Sequence, residues 1–261
     1  METLQSGYAR FTEMVPQDSI PFKMILTLLA VIAVMIAVAV LKKIYREWRY
    51  WKNSNPWLFN GTKSAKKRLV IPQNPEDPDA TPIMRSNNEK GGLEYTYVFW
   101  AFVDDWAYNR GEWKHVLHKG NDTSYPLRSP GVWFHPDKNV MRVYTNTFSQ
   151  IMEHVDVENL PHNKWFHVAI CVQQKNLDVF INGNLAKRKV LEGLPRQNYG
   201  DIYLNSFKGF SGFMSNVRYY QYYIGFNELE SLIQMGPSMM PCVDSGETPP
   251  YFSANWWANS K

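Results

Sequence analysis

The chain of 261 residues is 44% apolar and 15% aromatic, with 20% charged residues and a net charge of +4. That is enough apolar material for a full core, so disorder is excluded as its main state, and one domain of ordinary size with appendages is expected. Two cysteines, Cys171 and Cys242, are too few for a disulfide-built scaffold and match no zinc-ligand spacing.

After a leader (residues 1–23), Met24 to Leu41 is free of charge, with Thr27 its one polar side chain. As a helix this run would reach about 27 Å, close to the hydrocarbon thickness of a bilayer, and we read residues 24–41 as a transmembrane helix. A buried core helix and a cleaved signal peptide are the alternatives; the upstream acids Glu2, Glu13 and Asp18 and the absence of a small-residue cleavage site before Lys42-Lys43 argue against the second. Within about fifteen residues of the span, where Lys and Arg set orientation, the C-terminal side carries Lys42, Lys43, Arg46, Arg49 and Lys52 against Arg10 and Lys23 on the other. This imbalance predicts a cytoplasmic C-terminal domain.

Residues 42–68 read as a basic, aromatic juxtamembrane stalk with nine Lys and Arg against the single acid Glu47. Tyr45, Trp48 and Trp51 fall near one helical face, and with Lys42, Lys43, Arg46 and Arg49 they form the expected membrane anchor at the headgroup level. The same interleaving occurs in nucleic-acid binders, but next to a span it favours the lipid bilayer as partner, and no nucleic acid is expected. Residues 69–92 hold Pro72, Pro75, Pro78 and Pro82 and end on Gly91-Gly92, which predicts an extended linker.

From residue 93 to 236 the chain reads as short strands with turn punctuation: 95–103, 113–119, 132–135, 140–145, 151–157, 166–173, 177–181, 185–191, 202–204 and 213–219. The fold class expected is all-β, an antiparallel sandwich or barrel. Asn182-Gly183 is a favoured pair for a two-residue hairpin turn. In Phe226 to Gln234 apolar residues recur at three and four, and Gly236-Pro237 stops a short helix. A Pro-rich and aromatic tail (237–261) follows.

Two blocks carry a resemblance. Trp165-Phe166-His167-Val168-Ala169, with Leu177-Asp178-Val179-Phe180-Ile181-Asn182-Gly183, resembles a hairpin of laminin G-like, concanavalin A-like jelly-roll domains, and Phe210 to Tyr220 followed by Glu228 to Leu232 resembles that family's late strand and short helix. The resemblance covers roughly Leu93 to Met235. It implies a jelly-roll sandwich and leaves the ligand open, because the scaffold hosts lectins, hydrolases and adhesive modules. The layout of leader, span, stalk, domain and aromatic tail resembles membrane-anchored minor capsid proteins of large icosahedral DNA viruses, phycodnaviruses in particular.

Hydrolases of this fold carry E-x-D-x-E or E-x-D-x-x-E on one strand, so that the carboxylates converge on a cleft. Glu153, Asp156 and Glu158 are spaced E-x-x-D-x-E, and strand alternation puts Glu153 on the face opposite the other two; no catalytic residue is expected. His115 and His118 are expected on opposite faces of a strand, unable to share a metal, and His167 is expected to be structural. Asp104-Asp105 and Asn121-Asp122 are the calcium candidates, against the reading of ordinary loop residues; no metal site or cofactor is predicted. Cys171, between Ile170 and Val172, should be a buried small hydrophobe. Asn60 and Asn121 stand in N-glycosylation motifs.

These readings predict a structural, non-enzymatic virion protein that tethers an inner membrane to capsid or other shell proteins. Tyr251, Phe252, Trp256 and Trp257 of the tail would serve as its partner-binding residues, because exposed aromatics mark docking surfaces. The alternative is a displayed lectin-like module binding a glycan, with loop aromatics such as Trp106 and Tyr108 stacking on sugars.

Overall fold

The computed structural model describes residues 20–86 and 92–238, without the side chains of residues 22 and 49–53. The chain divides after Lys52 into a helical unit and a β-sandwich unit. In the first, α1 (Ile20–Ser54) contains the whole apolar run, which is exposed along its length within the protein. The stretch Lys23–Trp48 is long and apolar enough to cross a membrane, as a span or a signal sequence would be. Tyr45 and Trp48 share a helix face as expected, their rings 6.1 Å apart. Lys42, Lys43 and Arg46, the cations expected to act as anchor, lie on α1, while the side chains of Arg49 and Trp51 are outside the described set.

The second unit is a sandwich of two six-stranded antiparallel sheets. The strands are β1 (Trp57–Ser64), β2 (Leu69–Ile71), β3 (Glu94–Asp105), β4 (Lys114–Gly120), β5 (Arg128–Phe134), β6 (Val140–Thr145), β7 (Glu153–Glu158), β8 (Trp165–Gln173), β9 (Asn176–Ile181), β10 (Asn184–Val190), β11 (Asp201–Leu204) and β12 (Ser211–Tyr220). The first sheet runs β1-β12-β3-β8-β9-β10 and the second β2-β11-β4-β5-β6-β7. Between them lies one core, with Phe99, Val116, Phe134, Met141, Phe166, Ile170, Leu204 and Met214 fully buried. A second apolar layer covers the outer face of the first sheet, where Leu229 and Leu232 of α2 (Phe226–Met235) pack on Val98, Ala169, Cys171 and Tyr220. β3 and β8 are therefore apolar on both faces, as strands buried on both sides must be. Cys171 is buried as expected, and burial pushes its thiol up to about 12. Asn182 and Gly183 both take positive φ in the turn between β9 and β10, the geometry that Asn-Gly allows at least cost.

Two boundaries differ from the sequence reading. Residues 57–64 and 69–71, assigned above to stalk and linker, are edge strands: β1 pairs with β12 and β2 with β11. Two register shifts break up β1 and hide its period of two, and Leu58 and Phe59 are core residues. The cations Lys66 and Arg68 thus belong to the sandwich, Lys66 lying over the Tyr108 ring at 4.8 Å and Arg68 paired with Asp122.

Residues 72–86 are likewise bound to the domain. Asp201 Oδ1 accepts from the Gln73 amide at 2.9 Å, Gln73 Oε1 accepts from the Ile83 amide at 3.0 Å, and the Tyr219 hydroxyl donates to the Met84 carbonyl at 2.8 Å. A segment whose backbone groups find partners this way is no free spacer. The tail residues Tyr251, Phe252, Trp256 and Trp257, and Cys242, lie outside the described residues.

Candidate functional site

The bound-down segment forms one wall of a cavity of about 310 Å³ at one end of the sandwich. Tyr95 and Tyr97 of β3 reach it from the first sheet, two residues apart and so on one face, together with Tyr219 of β12. The Tyr97 and Tyr219 rings meet at 4.9 Å, edge to face. Burial raises the pKa of all three phenols, so they are neutral hydroxyls. The Tyr95 Oη is buried and makes no hydrogen bond of ordinary geometry, while neighbouring Ser129 and Thr145 bond to each other at 3.0 Å.

The second sheet contributes Lys119 of β4 and Asp201 of β11. Lys119 is 6% exposed, and its ammonium donates to the carbonyls of Asn198 (2.9 Å) and Gly200 (2.6 Å). Burial lowers its pKa to about 8, opposed by the charge of Asp201. Asn198 completes the clasp, its Nδ2 donating to the Lys119 carbonyl at 3.0 Å and its Oδ1 accepting from the Gly200 amide at 3.0 Å. Two glycines allow the backbones to approach this closely: a Cβ at Gly200 would stand 2.0 Å from the Gly120 carbonyl oxygen. At the rim, Arg85 donates to Gln197 Oε1 (3.0 Å) and to the hydroxyl of Tyr199 (3.2 Å), and Tyr199 is 79% exposed.

The cavity is therefore lined by tyrosine ring surface, by the amide side chains of Gln73, Asn74, Gln197 and Asn198, and by one carboxylate and two cations, with the Gln73 and Asn198 amides and the Lys119 ammonium bonded to the surrounding backbone. None of these residues was singled out from the sequence. They come from separated segments, and the signal that could have flagged them is the density of Gln, Asn and Tyr around the Pro-rich stretch and around residues 197–203.

The predicted sites lie elsewhere. On β7, Glu153 points into the sandwich and is 2% exposed; its Oε1 accepts from the Glu192 amide at 2.9 Å and faces the Lys189 ammonium at 3.7 Å. Asp156 is on the other face, in a two-pronged pair with Arg142 (both contacts 2.6 Å) that holds its carboxyl below the usual range. β7 pairs with β6 without a register shift, so the strand keeps regular alternation and the three carboxylates do not converge.

The expectation for His115 and His118 is corrected. A register shift between His115 and Leu117 in the β4–β5 pairing adds one residue, which turns both Val116 and Leu117 into the core and both histidines to the outer face. The rings stand 2.6 Å apart, Nε2 of His115 to Nδ1 of His118. Because the Ser206 amide donates to His115 Nδ1 at 2.9 Å, the His115 proton sits on Nε2, which donates a hydrogen bond to His118 Nδ1, and His118 Nε2 in turn donates to the Asn121 carbonyl at 2.9 Å. The chain of bonds is complete with both rings neutral, and burial holds His115 well below its ordinary pKa and lowers His118 to about 4. Among the described residues no group of three or more His, Cys, Asp or Glu could hold a metal. Of the calcium candidates, Asp105 accepts from the Ala107 amide at 2.7 Å, Asn121 ties down the Thr123 hydroxyl and the Tyr125 carbonyl, and Asp122 pairs with Arg68.

The loop aromatics are also committed. Trp106 packs edge-on against Phe134 at 5.1 Å, and Tyr108 donates to the Lys208 carbonyl at 3.1 Å beneath Lys66. His167 is buried against Trp100 at 5.2 Å, and burial lowers its pKa to about 4.

A family model described as the concanavalin A-like lectin/glucanases superfamily, of laminin G type, matches residues 80–228. No curated protein matches the chain. Solved structures of similar fold include the receptor-binding domain of botulinum neurotoxin mosaic serotype C/D with tetraethylene glycol and sulfate bound, at 11% identity and a TM-score of 0.50 over 67% of this chain and 41% of that one. The binding domain of botulinum neurotoxin DC in complex with rat synaptotagmin II is 13% identical (TM-score 0.45; 55% and 36% covered). The serotype D ligand binding domain in complex with N-acetylneuraminic acid is 9% identical (TM-score 0.46; 55% and 37% covered). The chain thus spans about two-fifths or less of the length of these structures, and the likeness is one of fold.

Proposed function

Because the chain belongs to the concanavalin A-like lectin/glucanase superfamily, we propose that it is a membrane-anchored, non-catalytic binding module that holds a saccharide in the cavity at the end of its sandwich. The observation that carries this reading is the lining itself. A saccharide presents hydroxyls that need donors and acceptors together, and C–H faces that rest on aromatic rings. Around the tyrosine rings the cavity presents the buried Tyr95 hydroxyl, which makes no hydrogen bond of ordinary geometry, the Asp201 carboxylate and the Arg85 guanidinium, while the Gln73 and Asn198 amides hold the backbone that shapes it. Its volume lies at the lower end of the range of about 300–1,000 Å³ for small-molecule sites, which suits a single small polar ligand.

Lectin-like binding was the alternative expectation, but its seat moves from Trp106 and Tyr108 to Tyr199, Arg85 and the buried tyrosines. Attachment to a protein shell would depend on residues 251–257. The cavity instead gives the sandwich a recognition surface of its own, and binding is the function assigned. Catalysis finds no support in β7, where Asp156 is neutralised by Arg142 and Glu153 is buried on the other face.

The anchor would be α1, and the excess of Lys and Arg after the span supports a cytoplasmic sandwich, so the saccharide would be one presented on the cytoplasmic side and the module would not be the outward-displayed lectin of the alternative expectation. Protease protection in sealed vesicles tests that orientation; a protected sandwich with a cleaved leader contradicts it. A glycan array probed with the full chain in detergent, followed by titration of the hits, tests the ligand. Tyr199→Ala and Arg85→Ala should each weaken binding at least about tenfold, a loss of ~1.4 kcal/mol, and leave the saccharide unhydrolysed in parent and variants. Failure of every saccharide to bind, or binding unchanged in both variants, refutes the assignment.

A further inference from the structure

The end of the sandwich that holds the cavity also carries a ring of exposed apolar side chains at its loop tips: Tyr125 and Leu127 between β4 and β5, Phe148, Ile151 and Met152 between β6 and β7, and Leu194 between β10 and β11. Phe148 is 75% exposed and Tyr125 59%. Such residues are ordinary when scattered, but these are gathered, and a gathered apolar rim marks a contact surface. The tips are fixed to one another. The Asn146 Nδ2 donates to the carbonyls of Pro126 (2.9 Å) and Ile151 (2.5 Å), and the Phe148 amide donates to the Leu194 carbonyl at 3.0 Å. Arg196 lies over the Phe148 ring at 5.6 Å, giving the rim a cation beside its most exposed aromatic.

The first residues of the sandwich unit are held at this same end. The Gln221 amide donates to the Ser54 carbonyl and the Tyr219 amide to the Pro56 carbonyl, each at 3.2 Å, and Tyr219 lines the cavity together with Lys119 and Asp201. The apolar stretch of α1 ends at Trp48, so few residues separate it from a sandwich residue that is already pinned. A rim of exposed aromatic, aliphatic and Arg side chains, on the end where the sandwich's own chain begins a few residues after the apolar stretch, fits the water–lipid interface, where aromatic rings and Arg are favoured.

We propose that the tips formed by Tyr125, Leu127, Phe148, Ile151, Met152 and Leu194 dock into the interface of the bilayer that α1 spans. The inference rests on the reading of α1 as a span and is independent of the saccharide assignment. Docking would hold the cavity end at the membrane surface and limit the sandwich to ligands presented there.

The test uses the full chain in a Cys242→Ser background, where Cys171 is buried, reconstituted into phosphatidylcholine vesicles containing a minority of phosphatidylserine. A solvatochromic dye is placed at Phe148→Cys or, as control, at Phe207→Cys, an exposed site beside Trp133 and His115 at the opposite end. The expected result is blue-shifted emission and quenching by spin-labelled lipid at position 148 and neither at position 207. Carbonate extraction of the same vesicles separates the two ways of failing. A chain retained in the membrane with position 148 unquenched, or quenched no more than position 207, overturns the docking alone; a chain released by carbonate overturns it together with the span.

Discussion

Lowering the pH from about 7.5 to about 5 should destabilise the sandwich through its buried histidines, before the carboxylates begin to titrate. His118 and His167 titrate at about 4 in the fold against 6.5 for the free side chain, and burial is the chief cause for each. Their neutral form is favoured in the fold, so below pH 6.5 the unfolded chain binds more protons and stability falls. The loss continues until the pH passes the folded value near 4 and is flat below it. At pH 5 each histidine accounts for ~2 kcal/mol of lost stability, and ~3 kcal/mol once the pH is below 4. Two such groups remove roughly 4 kcal/mol at pH 5, a large share of the ~5–15 kcal/mol that holds a domain folded. His115, held well below its ordinary value, acts in the same direction.

Urea unfolding of the full chain in mild detergent, followed by tryptophan fluorescence, reads this directly; Trp133, 4.5 Å from His115, is one reporter. In His167→Phe the ring contact with Trp100 is kept and an unpartnered buried nitrogen is removed. This variant should lose ~2 kcal/mol less than the parent between neutral pH and pH 5. Stability that is flat over that window, or a slope unchanged in His167→Phe, would refute the reasoning.

Gly200→Ala should cost about 1–3 kcal/mol, as overpacking does, and abolish ligand binding, because the new Cβ would stand 2.0 Å from the Gly120 carbonyl and force the Lys119 clasp apart; calorimetric melting and saccharide titration check the two effects. Leu232→Ala should lower stability by about 2–3 kcal/mol through the hole it leaves beneath α2, while saccharide affinity, set at the other face of the first sheet, stays unchanged. Cys171, its thiol pushed up to about 12 by burial, should react with a disulfide reagent only at the rate of unfolding; fast labelling in native conditions would contradict its placement under α2.

Residues beyond Leu93 were legible because period-two strands and turn signals dominate there: the ten strands and the helix of that region appear within a few residues of their expected positions. β1 and β2 were missed because the helix's cations continue into Lys63, Lys66, Lys67 and Arg68, so one composition spans the end of α1 and a sheet edge, and the bulged β1 shows no clean alternation to mark the change. The histidine pair was misread for a related reason. One inserted residue between His115 and Leu117 reverses which side chains share a face, and nothing local in the sequence announces it. The cavity was invisible because Gln73, Arg85, Tyr95, Lys119, Tyr199 and Tyr219 meet only when both sheets and the Pro-rich segment are in place. Conversely, the carboxylates of β7 were legible, since a regular strand obeys simple alternation.

The central claim, that the cavity end is a saccharide site, is tested most directly by hydrogen–deuterium exchange of the full chain with and without a saccharide identified on the array. The account predicts slowed exchange confined to residues 73–85 and 197–203, the segments that wall the cavity and carry Gln73, Arg85, Asn198, Tyr199 and Asp201. Protection that falls instead on the aromatic outer face at Phe102, Trp165 and Phe213, with the cavity segments unchanged, would contradict it.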